Sequence, residues 1–239
     1  MVWELGRVGL LFVVALSWLK TIERLAGKGV ISMEVSRKAI HVGIGVLFVT
    51  CWGLFPPECG TCRFYAALVP GSILLKFIAT GLGLLKDPDT EKMLCRNGDA
   101  SELLFGPMFY GFVIVAATVV YWTDIQGLLI ICILCVGDGM AALGGMRFPI
   151  MQLPWNRQKT LGGVLSFVFC SALSIYFFVS YFSALGFAPL AGVPAGGNWI
   201  LPSFLVILVS ALVESCSLGA FDNLLVPGVT WLASQILYL

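Results

Sequence analysis

The feature that most constrains this chain is a series of long apolar runs that recurs from one end to the other. A helix needs about 20 apolar residues to cross the hydrocarbon core of a bilayer. Runs of that order lie near 3–19, 39–55, 64–85, 107–122, 125–145, 161–187, 199–216 and, less clearly, 224–239. Hydrophobic residues make up 59% of the 239 residues, and the mean hydropathy is +0.97. We therefore predict a single all-α domain over residues 1–239, a polytopic membrane helix bundle with seven to eight transmembrane helices.

Positive charge is concentrated on one side of this predicted topology. The connectors at 20–38, 86–102 and 146–160 carry eleven of the fourteen lysines and arginines, and they share a side if the runs alternate. The positive-inside rule then places this side toward the cytoplasm or its organellar equivalent. The net charge is only +1, so the charge gives no reason to expect a nucleic-acid partner.

A polar stretch from Gly137 to Gly163 interrupts the apolar pattern and is the first candidate site. Asp138 lies near the inner end of the fifth run, and a carboxylate is a suitable ligand for Mg²⁺. The glycines around it predict a broken helix, which would bring Asp138 toward the polar loop. The simpler interpretation is a kinked transmembrane helix followed by an ordinary charged loop.

The loop that follows predicts a phosphate site. Cations and backbone N–H groups at the start of a helix hold phosphate, and two glycines at 162–163 let a ligand approach the backbone closely. The residues assigned to this role are Asn156, Arg157, Lys159 and Thr160.

A second basic cluster begins the second apolar run. Arg37, Lys38 and His41 fall within about one turn of a predicted helix, close to Gly43. We assign them to phosphate or nucleotide binding. For His41, the only histidine of the chain, a structural hydrogen bond is an equally good interpretation.

Four further polar residues are predicted to belong to the site. Glu214, Asp222 and Asn223 all reach the positive side, where the two carboxylates are additional metal ligands. Lys76 lies within the third run, where an ammonium group requires a partner or a function. Its partner is expected to be Asp138 or Glu214.

Two sequence features bear on redox state and targeting. Cys59 and Cys62 have the spacing of a zinc half-site, but no second pair or histidine completes it, so free thiols or a local disulfide are favoured. The start of the chain lacks the Ser-rich and Arg-rich composition of a transit peptide. Targeting is therefore expected to be internal, or to depend on a leader absent from this chain.

Four stretches, taken in order, resemble the polyprenol-kinase superfamily, and the phytol kinases in particular. No P-loop, dinucleotide-binding or Ser-His-Asp pattern is present, so soluble kinase folds are excluded. The four stretches are Ser36-Arg-Lys-Ala-Ile-His41-Val-Gly43; Glu102-Leu-Leu-Phe-Gly-Pro107-Met-Phe-Tyr110; Gly137-Asp-Gly-Met-Ala141 with Pro154-Trp-Asn-Arg-Gln-Lys-Thr-Leu-Gly-Gly163; and Val213-Glu-Ser215 with Asp222-Asn-Leu-Leu-Val-Pro227.

The resemblance implies an enzyme that transfers the γ-phosphoryl group of CTP to the hydroxyl of a long isoprenoid alcohol in a membrane. For phytol kinases the alcohol is phytol, salvaged toward tocopherol in plastids or cyanobacteria. The implied catalytic residues are Asp138 and Lys159. The implied metal ligands are Asp138, Glu214 and Asp222, and the triphosphate would bind the basic residues named above.

The chain departs from the family pattern at two positions. Ala142 stands where the pattern has a second aspartate, and Met146 where it has an arginine. Three alternatives therefore stay open: the same chemistry on farnesol, geranylgeraniol or dolichol; a catalytically silent lipid-binding paralogue; and a small-molecule transporter.

Overall fold

The computed structural model describes residues 2–95, 97–187, 198–216 and 219–238. Within these ranges the chain is helical, and its only β pairing is one isolated bridge between Gln152 and Thr160. The all-α prediction is therefore confirmed. The α-helices are α1 (Val2–Gly27), α2 (Met33–Trp52), α3 (Cys62–Gly81), α4 (Pro88–Leu94), α5 (Gly106–Val120), α6 (Ile125–Cys132), α7 (Asp138–Arg147), α8 (Leu161–Ala184), α9 (Ile200–Cys216) and α10 (Asp222–Leu237).

Six helical segments of the described chain are long and apolar enough to cross a membrane. They correspond to α1, α2, α3, the segment Ala100–Val120 that ends with α5, the segment Ile125–Arg147 that contains α6 and α7, and α8. The predicted number was seven to eight. α9 is apolar but has 17 residues and α10 has 16, so both are shorter than the other six segments. They pack against each other as a pair.

The segment Ile125–Arg147 is the centre of the bundle. Its share of buried residues is 83%, whereas the other five segments range from 17% to 39%. α2, α5, α8 and α10 pack around it. A helix that is apolar on all sides is stable only when it is surrounded, so this run, the most uniformly apolar of the chain near its start, occupies the core. Asp138 is thereby held in the interior of the bundle.

The predicted break near Asp138 is wrong, because the helical path is continuous through it. Ile133–Gly137 form one π-helical turn between α6 and α7, in which the Asp138 N–H donates to the carbonyl of Ile133, five residues earlier. The glycines serve close packing instead of interrupting the helix. A Cβ on Gly139 would collide with Val42 of α2, and one on Gly144 would collide with Ser166 of α8.

The connector at 86–102 is more ordered than the solvated loop expected from its composition. It contains α4 and a short 3₁₀ helix, Ala100–Leu104. The side chains of Asp87 and Asp99 accept hydrogen bonds from backbone N–H groups at the two helix starts, which is the usual role of aspartate at that position. The uncharged connector predicted at 188–198 lies outside the described residues except for Asn198.

Cys59 and Cys62 form a disulfide, which was one of the two favoured alternatives for this pair. The bond lies in the short connector between α2 and α3. Both thiols are consumed by it, so the pair is not a zinc half-site in this structure.

Contacts between distant elements show that the predicted positive side is one end of the bundle. The starts of α2 and α8 and the ends of α7 and α9 meet there through Lys38 with Asp138 and Lys159 with Glu214. The start of α10 meets the start of α5 at the same end, where Asn223 donates to the carbonyl of Gly106.

We expect cysteine labelling to report this topology. In a background in which the exposed Cys216 is replaced by serine, single cysteines at Lys92 and Gln152 should react with an impermeant maleimide from one side. A cysteine at Asn198 should react only from the other side. Labelling of Lys92 and Asn198 from the same side would contradict the alternating arrangement. The position originally suited to this test, Gly196, lies outside the described residues.

Candidate functional site

The first polar cluster joins α2 to the centre of the bundle. The Lys38 ammonium donates to Oδ2 of Asp138 at 2.9 Å, and Nε2 of His41 lies 3.3 Å from the same oxygen. Lys38 and His41 are three residues apart on α2 and so share one face of the helix. Ser32 caps the start of α2 by accepting from the Val35 N–H, which fixes where the helix begins.

The π-helical turn supplies a second partner for the imidazole. Nε2 of His41 lies 2.9 Å from the carbonyl oxygen of Leu134, which is in that turn. Widening the helix by one residue leaves carbonyl groups without their usual partner four residues ahead, so a side chain can bind them. Asp138 therefore enters the site with its carboxylate facing α2.

The second cluster is built on Lys159. Its ammonium lies 2.5 Å from Oε1 of Glu214 and 3.5 Å from Oδ2 of Asp222. Burial alone would lower the pKa of Lys159. The charges of Glu214 and Asp222, with a contribution from Asp138, outweigh this effect and raise the pKa above its ordinary value. Lys159 is therefore positively charged at neutral pH, and the field of Asp138 reaches it from the first cluster.

The loop before α8 is held in place by α9. The Asn156 amide donates to the carbonyl of Ser215 at 3.2 Å, and the Trp155 indole donates to the Ser215 hydroxyl at 3.2 Å. Within the loop, the Lys159 N–H donates to the carbonyl of Asn156. Asn156 thus positions the loop that carries Lys159, in addition to any contact with a ligand.

The remaining predicted phosphate-binding residues have different environments. Thr160 caps α8, where its hydroxyl accepts from the Gly163 N–H at 3.1 Å. Arg157 is exposed and Arg37 is half-buried. Neither arginine forms an ion pair with a described residue, so both guanidinium groups remain available to an anionic ligand.

Two residues assigned to the site have other partners. Lys76 pairs with Asp87 at 2.5 Å and donates to Thr90, so the expected pairing with Asp138 or Glu214 is wrong. This ion pair holds the pKa of Asp87 at about 2 and ties α3 to the start of α4. Lys76 is nearly half exposed, because it lies in the last two turns of α3 and not at mid-membrane depth. The amide of Asn223 binds Gly106 and positions α10.

The predicted metal ligands are divided between the two clusters. The described residues contain no group of three His, Cys, Asp or Glu side chains placed to hold a metal ion. The donor set nevertheless fits Mg²⁺ bound together with a nucleotide, since Mg²⁺ usually takes one or two carboxylates and completes its shell with water and phosphate. Oδ1 of Asp222 is buried and has no hydrogen-bond partner among these residues, so one carboxylate oxygen is available.

Two buried residues at the site were not assigned from the sequence. The hydroxyl of Tyr110 donates to the backbone carbonyl of His41 at 2.6 Å and lies 3.1 Å from Sγ of Cys135. Tyr110 is the last residue of the second family-like stretch, which was the only available signal. Cys135 looked like an ordinary apolar position, and nothing in the sequence distinguishes it.

Sequence comparison connects this arrangement with known enzymes. No protein-family model matches the chain, and no solved structure matches it. A probable phytol kinase 3 from Glycine max is 36% identical over 230 residues, which are 94% of this chain and 70% of that protein.

Two proteins of Arabidopsis thaliana extend the comparison. A farnesol kinase is 33% identical over 96% of this chain and 74% of its own length. Phytol kinase 1 is 32% identical over 90% and 70%, respectively. All three are named as kinases, that is, phosphotransferases with an alcohol acceptor, and all three names carry the word chloroplastic. The chain therefore belongs to the phytol kinase family of the polyprenol kinase superfamily.

Proposed function

We propose that this chain transfers the γ-phosphoryl group of CTP to the hydroxyl of an isoprenoid alcohol, with phytol as the first candidate. The observation that carries the proposal is the meeting of two lysine–carboxylate clusters, Lys38 with Asp138 and Lys159 with Glu214 and Asp222, at one end of a membrane bundle. A charged phosphate donor approaches from water at this end. An apolar alcohol reaches the same place from the bilayer.

The charges of the site match the needs of phosphoryl transfer, which are mainly positioning and charge neutralisation. We assign Lys38 and Lys159, with Arg37 and Arg157, to the triphosphate. The two lysines are held by carboxylates in the absence of ligand, so binding requires them to exchange carboxylate oxygens for phosphate oxygens. Because Arg157 is exposed, it suits the first encounter with the nucleotide.

The reaction itself forms one bond and breaks one. The alcohol oxygen bonds to the γ-phosphorus, the bond from that phosphorus to the bridging oxygen breaks, and CDP leaves. The hydroxyl proton must go to a base, and we assign this role to Asp138. Its carboxylate is held by Lys38 and His41 in a fixed orientation inside the bundle.

We propose that Mg²⁺ is bound with the nucleotide by Asp222, Glu214 and Asp138. The ion would neutralise charge on the phosphate oxygens. The support is the buried Oδ1 atom of Asp222 and the oxygen-only character of the two carboxylates around Lys159. When the metal takes up these oxygens, Lys159 is released toward phosphate.

We place the protein in a plastid membrane as a multi-pass protein. Support comes from the chloroplastic names of its relatives together with the six long apolar helices. The second candidate substrate is farnesol, because a farnesol kinase is as similar to this chain as the phytol kinases are.

A direct assay tests the function. Membranes from a heterologous host that expresses the chain would receive γ-labelled CTP, ATP, GTP or UTP, with phytol, farnesol, geranylgeraniol or dolichol as acceptor. We expect phytyl phosphate to form with CTP and Mg²⁺, and the Lys159→Ala membranes to give none. Faster labelling of farnesol would favour the second candidate. No labelled product with any pair would indicate a silent paralogue or a transporter.

Ala142 gives a separate prediction about the metal. This residue lies one turn after Asp138 on the same face of α7, where the family pattern has aspartate. We expect Ala142→Asp to lower the Mg²⁺ concentration that gives half-maximal activity, because a second carboxylate oxygen raises affinity for a hard cation. A Mg²⁺ titration of both proteins measures this. Superimposable curves would show that position 142 does not contact the metal.

A further inference from the structure

We propose that Tyr110 is a positioning residue that orients the base through His41. The inference rests on the proposed function, since it concerns how Asp138 is held for phosphoryl transfer. The chain of contacts runs from α5 to α2 and on to the first residue of α7. Each contact in it is a named hydrogen bond or ring contact.

Tyr110 holds His41 in two ways. Its hydroxyl donates to the His41 backbone carbonyl at 2.6 Å, which fixes α2 relative to α5. Its ring lies against the imidazole, with the ring centroids 4.4 Å apart and the planes tilted by 44°. The imidazole therefore has a tyrosine ring beside it, and rotation out of the site would break this contact.

His41 in turn orients Asp138. Nε2 lies 2.9 Å from the Leu134 carbonyl and 3.3 Å from Oδ2 of Asp138. A carbonyl oxygen only accepts hydrogen bonds, so Nε2 carries the proton and Nδ1 is the unprotonated nitrogen of the neutral ring. The Nε2–H group thus points between the π-helical turn and the carboxylate. The same proton fixes the ring and supports the orientation of Asp138.

The packing around Tyr110 shows that space was left for these contacts. A Cβ on Gly45 would collide with Cys135 and would lie 3.2 Å from the Tyr110 hydroxyl. Only a residue without a side chain lets α2 approach the π-helical turn closely enough at this height. Single π-helical turns occur often at functional sites, where they shift the residues that follow. Here the shifted residue is Asp138.

The chain offers a matched control for the hydroxyl of Tyr110. Tyr181 of α8 donates to the carbonyl of Thr50 at 2.9 Å, so it also ties α2 to a neighbouring helix through a backbone carbonyl. Thr50 lies at the end of α2 away from the site. Tyr110→Phe and Tyr181→Phe therefore remove the same kind of bond from the same helix, and only the first touches the site.

We expect Tyr110→Phe to lower kcat by roughly tenfold, the scale of losing a residue that orients a catalytic group, with a KM for CTP within about twofold of wild type. Tyr181→Phe should retain wild-type kcat. In a His41→Gln background, Tyr110→Phe should cause no further loss, because the residue through which it acts is gone. Equal losses of kcat in the two tyrosine variants, or independent losses in the double variant, would overturn the proposal.

A spectroscopic measurement tests the positioning without activity. His41 is the only histidine of the chain, so ¹⁵N-histidine labelling with a histidine-free purification tag gives one imidazole signal. We expect a neutral ring with the proton on Nε2 in wild type and in Tyr181→Phe, and a mixture of tautomers in Tyr110→Phe. An unchanged signal in Tyr110→Phe would overturn the proposal. A wild type that has this signal but no kinase activity would refute only the proposed function.

Discussion

Lys159→Ala is expected to reduce phosphoryl transfer by at least about 10²- to 10³-fold, the range seen when one preorganised charge-stabilising group is removed. The ammonium lies between Glu214 and Asp222 and is the only cation of this cluster among the described residues. Without it, two carboxylates would repel the triphosphate. The measurement is kcat and the KM for CTP in membranes or detergent.

Loss of folding must be separated from loss of function in this variant. Removing Lys159 leaves the buried Glu214 without its cation, which destabilises a protein more than losing an exposed pair does. The double variant Lys159→Met with Glu214→Gln keeps the net charge of the pair and should unfold at nearly the wild-type temperature while remaining inactive. Lys92→Ala removes an exposed cation on the same side of the bundle and should be fully active. Wild-type turnover by a folded Lys159→Ala protein would refute the assignment.

Asp138→Asn is expected to reduce kcat by about 10²- to 10⁴-fold, the usual contribution of a positioned general base. Asparagine has nearly the same shape and still accepts a hydrogen bond from Lys38, so the change removes charge and basicity with little change in volume. The effect should fall on kcat more than on the KM for the alcohol. Single-turnover kinetics with saturating CTP measure it.

The same helical segment provides the control for Asp138. Asp124 lies at the opposite end of the segment, where its carboxylate caps α6 by accepting from the Gln126 N–H. Asparagine is as good as aspartate at that position, so Asp124→Asn should preserve both stability and activity. Equal inhibition by the two substitutions would mean that any polar change in the central segment disrupts the bundle, and the base assignment would fail.

Much of the site was predictable because charge in a membrane protein is sparse. Apolar runs restrict polar side chains to the ends of helices, and the lysine and arginine distribution identified which end carried the site. Lys38, Asp138, Lys159, Glu214 and Asp222 were all assigned on that basis, and the structure brings them into two neighbouring clusters. The placement of Lys76 was wrong because its partner, Asp87, lies in a connector that looked unstructured but folds as α4.

By itself the sequence determined the all-α class, the central apolar segment and the family, since these depend on hydropathy and on short motifs read along the chain. Only the tertiary structure decided which lysine meets which carboxylate, because Lys38 and Asp138 are 100 residues apart and their contact depends on how α2 packs on the central segment. The π-helical turn and the roles of Tyr110 and Leu134 were decided in the same way. A local sequence of apolar residues and glycines is compatible with an intact, kinked or widened helix, and contacts with neighbouring helices select among them.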